Sequence, residues 1–130
     1  MATWSQLQER VRRDYVLDVD SDHEFALTLP RQDGAAARAQ RVMVREYEAW
    51  GRHMFEIRSA FGELGDFDAE SLLTDSLQLP LGAVALHGRF LVLVNKGCLE
   101  DITVDGVIFA LTHMTLLADV LEERLGKDRF

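Results

Sequence analysis

The sequence contains a single cysteine in 130 residues, Cys98, so the chain cannot form an internal disulfide. A cytoplasmic location is therefore the first expectation, because disulfides are typical of oxidising compartments. The first fifteen residues lack the apolar stretch of a signal peptide. No apolar run approaches the roughly 18 residues of a membrane span, so we expect no contact with a membrane.

Basic residues are scarce as well: 14 lysines and arginines stand against 22 acidic residues, which gives a net charge of −8. This charge repels phosphate backbones and disfavours nucleic-acid binding, whereas it would suit a basic partner. Apolar residues make up 48 % of the chain, which is enough for one core. The length is typical of one domain that spans residues 1–130.

Motifs for catalysis and for cofactor binding are missing. The sequence has no phosphate-cradling glycine loop and no nucleophile elbow, so we expect neither a cofactor nor enzyme activity. His87 and Cys98 are candidates for a base and its nucleophile, but no orienting motif accompanies them. The tripeptide His87-Gly88-Arg89 is more typical of a turn between two strands. Glu46 and Glu56, on predicted strands, are typical of a solvated face.

The acidic stretch near residue 20 has part of a calcium-loop pattern. Asp18, Asp20 and Asp22 have the required spacing. However, His23 stands where the loop needs glycine, and Leu29 stands where it needs glutamate. We therefore predict an acidic turn and no metal site, and whether this turn binds a cation weakly stays open.

Capping residues and apolar spacing predict three helices, the first from Trp4 to Asp14. The third helix is apolar nearly all round from Val104 to Leu125, so we expect it at the centre of the core. His113 would then be a hydrogen-bonded core or interface residue. Each helix would begin after a side chain that accepts a hydrogen bond from the first turn, namely Thr3, Asp68 and Thr103.

Alternating apolar residues predict strands between these helices. One strand covers Phe25 to Leu29. Two long strands meet at Gly51, and a single helix through residues 43–61 is the alternative. The alternation slips between Val44 and Tyr47, which predicts a bulge or a strong twist.

Two further strands flank Gly88. The second of them is apolar on both faces, so it needs a helix on one side and a second layer or a second subunit on the other. The predicted order is helix, three strands, helix, two strands, helix. This order predicts an α+β fold in which helices pack on a single antiparallel sheet.

This order of elements resembles that of type III secretion chaperones and of the related YbjN-like proteins. The resemblance is strongest from Leu79 to Leu125, "LPLGAVALHGRFLVLVNKGCLEDITVDGVIFALTHMTLLADVLEERL". In this segment a strand pair is followed by an acidic or polar link from Leu99 to Thr103. A helix follows that starts near Val107 and ends in Ala118-Asp119 with two leucines. The small size and the acidic charge also fit the family.

The resemblance implies a non-enzymatic, chaperone-like homodimer that binds an extended segment of a client protein. In the family the dimer forms around the second helix and the fourth strand, which implies interface roles for Leu72, Leu73, Leu77, Val84 and Leu86. Clients wrap the first helix and the outer face of the sheet, which implies partner contacts for Trp4, Leu7, Val11, Phe25 and Leu27.

Two alternatives stay open. One is a stand-alone YbjN-like regulatory protein without a secretion client, which has the same fold and differs only in its partner. The other is a small enzyme or ligand-binding domain in which His87, Cys98 and the acidic turn lie near one pocket. That alternative predicts a concave site with convergent polar groups.

Overall fold

A computed structural model of the chain describes residues 1–30 and 39–124. The dipeptide Asp33-Gly34, which is typical of a turn, and Leu125, the last residue of the predicted third helix, lie outside these residues. The described part contains α1 (Trp4–Asp14), β1 (Leu17–Asp20), β2 (Glu24–Pro30), β3 (Ala39–Ala49), β4 (Arg52–Glu63), α2 (Ala69–Ser76), β5 (Ala83–His87), β6 (Phe90–Cys98) and α3 (Val104–Glu123). Short 3-10 turns at Leu64–Asp66 and Leu99–Asp101 precede α2 and α3.

All six of these strands belong to one sheet with the order β1-β2-β3-β4-β6-β5. Every neighbouring pair is antiparallel. The predicted α+β class, with helices packed on a single antiparallel sheet, is thereby confirmed. The structure adds β1 to the predicted order, and its four residues are too few to give a clear alternation signal.

The helices begin where the capping residues predict. Thr3 and Gln6 form a reciprocal capping box, in which each side chain accepts from the other's backbone N–H at 3.2 Å. Asp68 and Thr103 each accept from the backbone N–H three residues later, at 3.1 and 3.0 Å. The starts of α1, α2 and α3 are therefore set by local hydrogen bonds that the sequence encodes.

The predicted corner at Gly51 is a two-residue hairpin turn. Trp50 and Gly51 both have positive φ, at 54° and 72°, as a type I′ turn requires. β3 and β4 pair without interruption from Met43 to Ala49, which excludes the alternative helix through residues 43–61. The same unbroken register shows that the predicted bulge between Val44 and Tyr47 is wrong, whereas the strong twist that was its alternative stays a prediction. The register shifts lie elsewhere, between Leu17 and Val19 in the pairing of β1 with β2 and between Ala60 and Gly62 in the pairing of β4 with β6.

The β5–β6 hairpin shows whether His87-Gly88-Arg89 is a turn or part of a reactive site. His87 pairs with Phe90, and Gly88 and Arg89 form the two-residue loop between them. Gly88 has a φ of 61°, a conformation that glycine adopts without strain. The tripeptide is a turn between two strands, as predicted.

The helices cover only one face of the sheet. α3 crosses β3, β4 and β6, and α2 lies beside the edge strand β5. Inward-facing side chains such as Phe25, Ile57 and Leu93 are fully buried there. Because side chains alternate along a strand, the residues between them point to the opposite face. No helix in residues 1–30 and 39–124 lies on that opposite face, which we call the open face.

The outer side of α3 is exposed, so the expectation of a helix at the centre of the core is wrong for that side. Phe109, Leu116 and Val120 are 59 %, 51 % and 44 % exposed. The sheet lies under one side of α3 only, and this is why part of its apolar surface stays uncovered. By length and composition α3 is also apolar enough to span a membrane, contrary to the expectation from apolar runs, but such a helix is equally typical of a protein core.

Candidate interaction surfaces

The five side chains that the resemblance assigned to partner binding lie in the core. Trp4 stacks on Phe25 with 5.4 Å between ring centroids, and its indole N–H donates to the backbone oxygen of Asp22 at 2.8 Å. The apolar stripe of α1 and the alternation of β2 turn these side chains toward each other. The predicted partner contacts are therefore corrected, because side chains buried in this fold are unavailable to a partner. The five buried residues are Trp4, Leu7, Val11, Phe25 and Leu27.

The five residues assigned to a dimer interface divide into two groups. Leu72 is buried, and Val84 packs against the core from β5. These two residues stabilise the fold and offer little free surface. Leu73, Leu77 and Leu86 are 60 %, 84 % and 52 % exposed, so they are available for association.

A second group of exposed apolar residues lies on α3. Phe109, Leu116 and Val120 are spaced seven and four residues apart, which places them along one side of the helix. Together with the α2–β5 connection they form a concave surface of about 370 Å³, which we call the α3 groove. Its lining residues are Pro80, Leu81, Phe109, His113, Leu116, Leu117 and Val120.

The α3 groove contains no lysine, arginine or carboxylate. His113 is its one ionisable residue. The imidazole stacks on the Phe109 ring with 4.0 Å between centroids, and Nδ1 lies 2.9 Å from the Phe109 backbone oxygen. Because a carbonyl oxygen only accepts, Nδ1 carries a proton. His113 is exposed, so of the two predicted roles the core role is wrong.

His87 and Cys98 lie far apart. His87 pairs with the first residue of β6, and Cys98 is the last residue of that strand. Eight residues of extended chain separate the two ends, roughly 26 Å at about 3.3 Å per residue. The two side chains therefore form no dyad, and the pocket predicted to collect them with the acidic turn does not form.

Two carboxylates of the acidic stretch, Asp18 and Asp20, have separate partners. Asp18 accepts from the Thr28 hydroxyl at 2.7 Å. Asp20 accepts from both Nε and Nη2 of Arg12, at 2.8 and 2.7 Å, and these bonds lower the pKa of Asp20. No group of three metal-binding side chains converges anywhere in residues 1–30 and 39–124. Asp18 and Asp20 lie on β1, and only Asp22 lies in the turn between β1 and β2, so the predicted acidic turn is shorter than expected.

A further groove, of about 580 Å³, lies between the end of α1, the end of β2 and α3. Gln40 lines it from β3, and its Nε2 donates to the Ser59 hydroxyl and the Ala60 carbonyl. Its Oε1 is buried without a hydrogen-bond partner. Neither His87 nor Cys98 lines this groove, so it does not assemble the predicted reactive residues.

Sequence reasoning missed an ionic network on the open face. Glu56 is buried, although a solvated position is expected from its sequence context. Arg45 contacts its Oε2 at 2.6 Å, and Arg58 contacts its Oε1 at 2.5 Å. The sequence contains a signal for this contact, because a two-residue turn at Trp50-Gly51 sets the strand register and places residue 45 directly opposite residue 56.

No family model, no curated protein and no solved structure matches the chain. The resemblance to secretion chaperones and YbjN-like proteins therefore stays a prediction from the order of elements.

Proposed function

We propose that the chain is a non-enzymatic protein-binding module: a small, acidic, cytosolic homodimer, chaperone-like in the order of its elements, that holds an extended segment of a partner protein. The observation that carries this proposal is the exposed apolar side of α3. A regulatory protein without a secretion client would use the same surfaces, and the identity of the captured partner distinguishes these two cases.

The apolar surface of α3 is larger than the fold needs. Its inner side already fills the core with residues such as Leu111 and Met114, which are fully buried. The outer side adds Phe109, Leu116 and Val120 without contributing to that core. Contiguous exposed apolar surface on a globular domain is typical of an association site.

A second copy of the chain is the occupant that the charge distribution favours. Two molecules of net charge −8 repel each other over most of their surfaces. The lining of the α3 groove includes no lysine, arginine or carboxylate, so two copies can meet there with little repulsion. A symmetric dimer uses the same patch on both subunits, and a helix is suited to packing against its own symmetry mate.

The test is the mass in solution, measured by light scattering at micromolar concentration. We expect the wild-type protein to be a dimer and Leu116→Asp to be a monomer with an unchanged circular dichroism spectrum, because Leu116 is half-exposed. The matched control is Leu64→Asp, which makes the same substitution at a leucine that is 45 % exposed and lines neither of the two grooves that Leu116 lines. That control should remain a dimer.

A wild-type monomer would contradict the dimer. Leu86→Asp, on β5, separates two possible interfaces. If Leu86→Asp is monomeric while Leu116→Asp stays dimeric, the interface lies at α2 and β5 and the assignment to α3 is wrong.

A further inference from the structure

The open face of the sheet contains a separate concave surface, of about 480 Å³, that runs across β3, β4, β6 and β5. We call it the open-face groove. Its lining residues are Arg41, Met43, Arg58, Ala60, His87, Phe90 and Val92. Two arginines and a histidine line it together with apolar side chains, and no carboxylate does. This composition is the reverse of that of the whole chain, in which acidic residues predominate.

The neighbouring row of the open face is electrically balanced. Glu24 pairs with Arg45, Arg45 with Glu56, and Glu56 with Lys96 across four adjacent strands. Charges of opposite sign therefore alternate along this row, and each cation has an anion beside it. The balance is less complete in the next rows, where Arg58 lies between Met43 and Val94, and Arg41 lies beside Thr28.

Arg58 is held in place by groups beneath and beside it. Its Nε and Nη2 donate to Glu56 Oε1 at 3.1 and 2.5 Å. Its Nη1 lies 3.3 Å from His87 Nδ1. Because a guanidinium only donates, His87 Nδ1 accepts, and in the neutral ring the proton is on Nε2. Nε2 is then a donor on an exposed side chain.

Arg41 is less fully paired. Its Nε lies 4.0 Å from Asp18 Oδ2, and that oxygen already accepts from the Thr28 hydroxyl at 2.7 Å. The Arg41 side chain is 48 % exposed. A guanidinium has five N–H donors, so most of those of Arg41 are available to an anion from outside.

We propose that the open-face groove binds an extended acidic segment of a partner protein, with carboxylates at Arg41 and at the Arg58–His87 pair. Apolar side chains of the segment pack on Met43 and Val92 between these two positions. The inference rests on the proposed function, because it takes the occupant to be a protein. The net charge of the whole chain favours a basic partner. The open-face groove favours an acidic segment instead, because its own lining is basic and the charges of the two surfaces are complementary there.

The geometry also sets the spacing of the segment. Arg41 on β3 and His87 on β5 are separated by three strand spacings, roughly 14 Å at about 4.8 Å each, and by two residues along the strand, because the row of Arg41 crosses β5 at Ala85. Together these give roughly 16 Å between the two backbone positions. An extended peptide covers roughly 13 Å in four residues at about 3.3 Å per residue, and the long arginine and glutamate side chains span the remaining distance. The expected pattern is therefore two acidic residues four positions apart with an apolar residue midway, since alternate side chains face the same way.

Fluorescence anisotropy with dye-labelled synthetic peptides tests this pattern. The acidic peptide has glutamates four positions apart around a central leucine, and its controls carry lysine or glutamine in place of both glutamates. We expect the acidic peptide to bind at least about tenfold more tightly than either control, and to bind more weakly as salt rises.

Arg41→Glu is the variant of choice, because Arg58 also neutralises buried Glu56 and its removal would disturb the fold. We expect Arg41→Glu to weaken the acidic peptide about tenfold or more. Arg13→Glu is the matched control: it makes the same change of charge on α1, on the helical side of the molecule, at a side chain that is 71 % exposed. It should bind like the wild type.

Equal or tighter binding of the lysine peptide would overturn the inference, and so would unchanged binding by Arg41→Glu. If the protein is a dimer by light scattering yet the acidic peptide fails to bind, the inference fails while the proposed dimer stands. If the acidic peptide binds a monomeric wild-type protein through Arg41, the inference stands and the dimer fails.

Discussion

The two faces of the sheet bury side chains by different means. On the helical face, large apolar residues such as Phe55 and Phe61 are buried in the core, and α3 packs on their strand β4. On the open face, small or flexible apolar residues alternate with arginines, and Glu56 is buried between Arg45 and Arg58. The chain thus places its main hydrophobic stabilisation on one face and keeps charged groups on the other, where a binding surface can form without weakening the core.

Glu56 shows how the open face tolerates a buried charge. Burial alone would raise its pKa, because a carboxylate is costly to remove from water. Hydrogen bonds from Arg58 and Arg45 outweigh this effect, and the pKa of Glu56 lies below its ordinary value. The residue is therefore ionised at neutral pH and ties β3 to β4 by its charge.

The largest expected change in stability is found when one side chain from each face of the sheet is replaced by alanine. Phe55→Ala should lower the free energy of unfolding by about 3–5 kcal/mol, because it leaves a cavity under the helices. Met43→Ala, on the open face, should cost less than about 1 kcal/mol, since the Met43 side chain is only partly buried. Urea denaturation measures both. A loss at Met43 as large as that at Phe55 would mean that the open face is covered in solution.

A smaller loss of stability is expected when Glu56, which lies between Arg45 and Arg58, loses its charge. Glu56→Gln should lower the free energy of unfolding by about 1–3 kcal/mol, because two arginines lose charge-assisted hydrogen bonds. Glu48→Gln, on an exposed residue of β3, is the control and should change stability by less than about 0.5 kcal/mol. An unchanged urea midpoint for Glu56→Gln would show that the network does not stabilise the fold.

The smallest expected effect is the dependence of the free energy of unfolding on pH. The pKa of Glu56 is lower in the folded chain than its ordinary value of 4.5, so its stabilisation is present above that value and is lost as the pH falls through the folded pKa. We expect the wild-type protein to lose stability in this acidic range more steeply than Glu56→Gln. Asp14 and Asp20 also have lowered pKa values, but they are present in both proteins and cancel in the comparison. Parallel curves for the two proteins would contradict this assignment.

The elements that the sequence predicted best are those with local causes. The caps at Thr3, Asp68 and Thr103 and the turns at Gly51 and Gly88 depend on residues close in the chain. The predicted partner contacts failed for the opposite reason. An apolar stripe on α1 shows that one side of the helix will be covered, but it does not show whether the cover is a partner or the chain's own sheet.

The sequence by itself determined the α+β class, the helix starts and the inward side of each long strand, because capping, turn conformation and alternation act over a few residues. Only the tertiary structure decided which apolar surface remained uncovered. Whether Phe109 and Leu116 are exposed depends on where α3 crosses the sheet, and whether Glu56 is buried depends on arginines from two strands meeting it. Both outcomes arise from contacts between residues that are distant in the chain or brought together by strand register, and no short stretch of sequence contains them.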